Sequence, residues 1–237
     1  MGQIMRTQIK YLVFLSSVAM SLSLNAQSSV SKDITLQPGK VSDRDISSVS
    51  GDIKIGKNAR VAGSVSTVSG DIEVAVGSRL GNVNTVSGDV LLGKKVHTKD
   101  IETVSGDIHL YESCQVKGSI ETVSGDIVGN GGCDIQDGIS SVSGDIEVDD
   151  TRIRGDIKTV SGDISLFNGS VVDGDIIVNR TNDFFSGPRG KMKIVIDMNS
   201  VVKGSIRVKE KDTNVIVYLS NGGKVRGEII NAEVREL

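Results

Sequence analysis

Seven aspartates, Asp52, Asp71, Asp89, Asp107, Asp126, Asp145 and Asp163, return every 18 or 19 residues, each directly after a glycine. If those intervals are turns of one stacked chain, the carboxylates form a ladder with neighbours about 4.8 Å apart. Two such charges repel by roughly 0.9 kcal/mol in water, so something must offset the sum along the column. Each Asp can accept backbone N–H bonds beside its glycine, as Asx turns do. The alternative is that the ladder holds calcium, which takes hard oxygen ligands. Capping of the turn is the favoured reading, and calcium is the only cofactor the chain suggests.

The two cysteines offer a second chemistry. Cys114 lies eight residues after Gly106 and Cys133 eight after Gly125, so they hold one position in consecutive repeats. In-register strands would bring their Cα atoms within the range a disulfide needs, and a Cys114–Cys133 bridge is predicted. Thr103 and Ser105, with their equivalents, are expected to face outward on either side of an inward valine as a strip of hydroxyls. Such a strip allows glycan binding or, remotely, ice binding. For a polysaccharide-active enzyme the candidate acids are Asp149-Asp150, the only adjacent acidic pair outside the ladder. His97 and His109 fall at different repeat positions, so no stacked metal pair is expected of them. No catalytic residue is assigned, and the chain reads as a non-enzymatic protein.

The elements that position these residues follow from the repeat. Ser48-Val49-Ser50-Gly51-Asp52-Ile53 recurs six times, with glycines at 51, 70, 88, 106, 125, 144 and 162. A period this short leaves no room for a helix and marks a β-solenoid. Around Gly70 the residues Val68, Ile72 and Val74 alternate with Ser69, Asp71 and Glu73, the period-two pattern of a strand. A weaker motif half a period away, as in Val116-Lys117-Gly118-Ser119-Ile120, gives each coil two glycine-marked corners. In one coil Val83, Val86, Val90, Leu92 and Val96 are expected inside, stacked on their counterparts. With four Phe, three Tyr and no Trp, aliphatic stacking has to supply the core.

The fold class is therefore all-β, a single-stranded parallel β-helix, right-handed, with 18–19 residues per coil. Residues 41–178 are the regular coils and 27–40 an N-terminal cap. Residues 179–192, with Phe184-Phe185, are a protruding loop that folds over the stack, and 193–237 are irregular C-terminal coils and a cap.

Residues 1–26 have the pattern of a secretory signal peptide. Arg6 and Lys10 precede an apolar run to Leu24, and cleavage is expected near Ala26. That run includes serines and falls short of the roughly 20 apolar residues that span a bilayer. The mature chain is thus expected to lack a transmembrane segment and to be periplasmic or secreted, where disulfides persist. It keeps 25 Lys+Arg against 30 Asp+Glu, a balance that disfavours nucleic acid as a partner. Self-association or attachment to the cell surface or envelope is the expected kind of partnership.

From Val41 to Ile176 the iterated Val-Ser-Gly-Asp-Ile units resemble a bacterial adhesin-type family of β-strand-repeat proteins of unknown function. The Gly-Ser/Asp-Ile corners also look like those of bactofilins, polymer-forming cytoskeletal proteins with a β-helix core. The resemblance implies a solenoid with a structural or surface-interaction role and carries no catalytic residues with it. An exported chain would not share the bactofilins' place in the cytoplasm.

Overall fold

A computed structural model describes residues 27–179, 190–209 and 214–236. The expected signal peptide and most of the expected loop, including Phe184-Phe185, lie outside the described residues. Those described contain strands, turns and bends and no helix. Short strands recur in the same order in each coil, and in one coil they are Val83–Thr85, Val90–Leu92 and His97–Thr98. Each pairs only with its equivalents in neighbouring coils, always in parallel, so three sheets run along the axis. The first and second faces each hold eleven strands. The third holds seven, extended toward the N-terminus through bridges of Arg79 to Arg60 and His97 and the pair Val41–Ser42 with Arg60–Val61. The chain is a parallel β-solenoid.

Register follows the repeat. Ile72, Val90, Ile108, Ile127, Ile146 and Ile164 stack in sequence order on the second face, and each is fully buried. The first face stacks Val83, Ile101, Ile120, Ile139 and Ile157 in the same way. Branched aliphatics suit this position because their preferred rotamers fill a pleated surface and meet identical neighbours above and below. One coil's inward residue leaves its apolar side bare until the next coil covers it, so stability resides in contacts between neighbours.

Two details depart from expectation. Val86 is only half buried, whereas Val83, Val90, Leu92 and Val96 are fully enclosed. The chain turns between Thr85 and Gly88, so strict alternation fails there and Thr85 takes the inward place. The valine column still stacks in order, with Ser105 N–H bonded to the Val86 carbonyl and Ser124 N–H to that of Val104.

Each coil also turns three times, not twice. The additional corner joins the second and third faces through a left-handed residue: Asn58, Gly77, Lys95, Ser113 and Asp150 all have φ between 43° and 74°. Several residue types tolerate one such position, so this corner carries no fixed motif.

The terminal segments are themselves rungs. Gln27–Ser29 pairs with Ile46–Ser48, and Ile34–Leu36 with Ile53–Ile55. At the other end Met192–Ile196, Val215–Leu219 and Glu233–Glu236 continue the second face in order. The C-terminal coils are longer than the regular ones where the chain passes from the first face to the second, between Val178 and Met192 and between Val208 and Val215.

Candidate functional site

The motif corner holds three polar columns and a glycine column. The aspartate Oδ1 accepts the backbone N–H of the aspartate one coil on: Asp71 to Asp52, Asp89 to Asp71, Asp107 to Asp89, and so to Asp163, at 2.7–3.0 Å. Lys193 N–H closes the series on Asp163. The bond is not the local Asx turn expected from sequence, because the donor belongs to the following coil. A hydrogen bond to a charged group is worth about 1.5–3 kcal/mol, more than the roughly 0.9 kcal/mol of repulsion between adjacent carboxylates. The ladder therefore stabilises stacking by itself. A second, partial series at the corner between the third and first faces works the same way, with Ser119 N–H on Asp100 and Asp175 N–H on Asp156.

The hydroxyls divide into two kinds. Thr103 does not face outward: it is 2% exposed, and its Oγ1 accepts the Gly106 N–H at 3.1 Å. Thr67, Thr85, Thr122 and Ser141 repeat that bond to their own corner glycines. Ser105 does face outward, and its hydroxyl donates to the Val86 carbonyl of the preceding coil, as Ser124 does to Val104 and Ser143 to Val123. The expected double hydroxyl strip is thus a single serine column, and ice binding loses the flat threonine array it needs.

The glycine column completes the corner. A Cβ on Gly106 would lie 1.8 Å from the Gly88 carbonyl oxygen, and the same contact recurs at Gly125 and Gly144. The backbones of successive coils meet here, so the glycines are set by the neighbouring coil more than by crowding of the interior.

Cys114 and Cys133 occupy one buried inward column, stacked in consecutive coils as expected. Both are free thiols, not bridged. Cys114 Sγ lies 3.1 Å from the Gly93 carbonyl and Cys133 Sγ 3.0 Å from that of Asn130. A hydrogen bond to Cys133, together with burial, pushes the Cys114 thiol well above its ordinary pKa. His97 lies on the third face and His109 on the second, apart as expected. Asp149 ends a second-face strand with its carboxylate held by Asn168 at 2.6 Å, while Asp150 forms the left-handed corner. Among the described residues no three His, Cys, Asp or Glu side chains converge as metal ligands.

One feature was not legible from the motif. Glu102 and Glu121 are directly opposed on the first face, with Asp100 beside them. Burial first, then the charges of Glu121 and Asp100, raise the Glu102 carboxyl to about 7. The signal was available only as two acidic residues 19 apart, at an outward position that holds Asn84 and Ser140 in the flanking coils.

Residues 81–182 match the family model described as Toastrack DUF4097. That stretch runs through the regular coils and supports a β-repeat protein of unknown function. No curated protein and no solved structure matches the chain. No helix among the described residues is long and apolar enough to cross a membrane.

Proposed function

We propose that this protein is an exported, non-enzymatic structural or surface-interaction module of adhesin-like type. The observation that carries the reading is that the aspartate and serine columns of the motif corner are spent on holding one coil to the next, while threonine closes the corner within its own coil. A repeat used this way builds a rod: eleven rungs at about 4.8 Å give a length of about 50 Å. Such a rod presents broad faces and, among the described residues, no cluster of metal-ligating side chains. Export follows from the leader pattern at residues 1–26 and would place the mature chain in the periplasm or outside the cell. Cell fractionation with mass analysis of the mature N-terminus tests it: a chain starting near Gln27 outside the cytoplasm is expected, and an uncleaved cytoplasmic chain would refute export.

In an oxidising compartment the stacked thiols close a Cys114–Cys133 disulfide by exchange with a donor disulfide. Two thiols become one S–S bond while the donor is reduced to two thiols. Thiol counting on the unfolded, unreduced exported protein should find none, and two free thiols would remove the bridge. Calcium is left with one uncommitted oxygen per aspartate of the ladder, since Oδ1 is already an acceptor. The melting temperature is expected to be unchanged by millimolar calcium or by chelator, and a clear rise with calcium would restore the metal reading.

A further inference from the structure

The third face carries an uncompensated positive row. Its outward column runs Arg60, Arg79, His97, Gln115 and Asp134 in consecutive coils. Arg60 and Arg79 are both exposed, and two positions along the chain from His97 and Gln115 stand Lys99 and Lys117, also exposed and in adjacent coils. Among the described residues none of these four cations has a carboxylate in ion-pair range. Farther along the same face the pattern reverses. Arg154 is paired with Asp134 at 2.7 Å, and Asp173 receives both Arg152 at 2.8 Å and Lys203 at 2.7 Å. At one end of this face carboxylates lie in ion-pair range of the basic residues and at the other they do not, although acidic residues outnumber basic ones overall.

Like charges on adjacent rungs repel, and the row gains nothing from the stack: the backbone alone makes the pairing at Arg60, Arg79 and His97. An anionic partner would supply what the fold leaves out. Arg60 and Arg79 stand on adjacent rungs about 4.8 Å apart, and Lys99 and Lys117 do the same on the next two rungs, two residues farther along the strand direction. That geometry suits a single extended chain with one anion per unit, and guanidinium forks bind carboxylate or sulfate through paired hydrogen bonds. A duplex nucleic acid carries its charge far more densely, at about 1.7 Å per charge. Single-stranded nucleic acid needs several aromatic platforms for its bases. Among the described residues the one exposed aromatic ring is Tyr111, at the corner where its coil enters the third face. One tyrosine with a broad apolar face and a polar tip suits a sugar ring.

We propose that the row Arg60, Arg79, Lys99 and Lys117 binds an acidic polysaccharide, a linear chain with one carboxylate or sulfate per sugar, with Tyr111 against one ring. This deepens the surface-interaction reading by naming the class of partner, and it assigns the contact to the third face instead of the aspartate or hydroxyl columns.

The test uses the full chain and an oligogalacturonate of defined length, with its methyl-esterified form as the neutral probe. Binding is measured at low and at physiological salt. The expected result is binding of the acidic chain only, weakening as salt rises. Arg60→Glu with Arg79→Glu should weaken it by about tenfold or more, while Lys54→Glu with Lys193→Glu, the same charge change on the second face, should alter it by less than about twofold. All four positions are exposed, so an unchanged melting temperature certifies the fold. The inference is overturned by no binding at low salt, by equal losses in both double variants, or by tighter binding to duplex DNA or anionic vesicles. Salt-dependent self-association without glycan binding would equally assign the row to a second copy and overturn it. A correctly exported, folded protein that ignores the glycan would defeat this inference and leave the structural reading intact.

Discussion

Glu102 shows how stacking changes a single side chain. Its carboxyl is raised from 4.5 to about 7 by burial and by the facing carboxylates of Glu121 and Asp100. The folded form holds its proton more tightly than the unfolded chain does. Stability from this group is therefore fully present below pH 4.5 and is lost as pH rises through about 7. Glu102→Gln should leave the melting temperature near that of the parent at pH 5. At pH 8 it should raise stability by on the order of 1 kcal/mol, a figure reduced for the water that reaches a half-exposed side chain. Equal effects at both pH values would mean that the carboxylate charge is not what the substitution relieves. Sequence alone shows two acidic residues in equivalent positions; that their charges are opposed and partly desolvated depends on register and on what covers them.

At the scale of the element, the motif corner acts as a unit. Threonine inside accepts the glycine N–H, glycine lets two backbones meet, aspartate accepts the next aspartate's N–H, and serine returns a bond to the preceding valine carbonyl. Gly106→Ala would push a methyl group to within 1.8 Å of the Gly88 carbonyl. Overpacking of this kind costs about 1–3 kcal/mol, and the Gly88 backbone is held at the corner by its N–H bond to Thr85, so the upper part of that range is expected. Gly190→Ala, with open space around the added atom, should change stability by less than about 0.5 kcal/mol. Thermal melts of the two variants make the comparison, and equal melting temperatures would contradict the close approach. The repeat spelled out every member of this corner, yet it did not reveal which coil each bond reaches. Parity counting put Thr103 outside and Val104 inside because it assumes an unbroken strand, and the turn after Thr103 reverses both.

For the whole molecule the consequence is cooperativity between neighbours. Ile108 is fully buried between Val90 and Ile127. Ile108→Asp would place an unpaired carboxylate in that column at a cost of several kcal/mol. Each coil shares its core with the next, so the damage should spread to the flanking coils. Hydrogen exchange should show loss of protection centred on the strands at Val90–Leu92 and Ile127–Gly129, with the C-terminal rungs least affected. Uniform loss along the rod would indicate a single two-state unit instead. The charge layout is likewise a property of the whole: basic residues scattered by tens of positions in sequence become one row only when the coils are superposed.

The repeat by itself determined the architecture. An 18- or 19-residue period with aliphatics at alternate positions can bury its apolar side only by stacking coil on coil, and this fixes parallel pairing, register and the columns in which the aspartates and cysteines lie. Tertiary structure alone decided what each column faces. A corner without a fixed motif divides the coil into three faces, and a turn within the motif moves threonine inward and valine toward the surface. Whether a charged side chain meets a partner or only its own kind depends on groups contributed by neighbouring coils, and these are adjacent in space but distant along the chain.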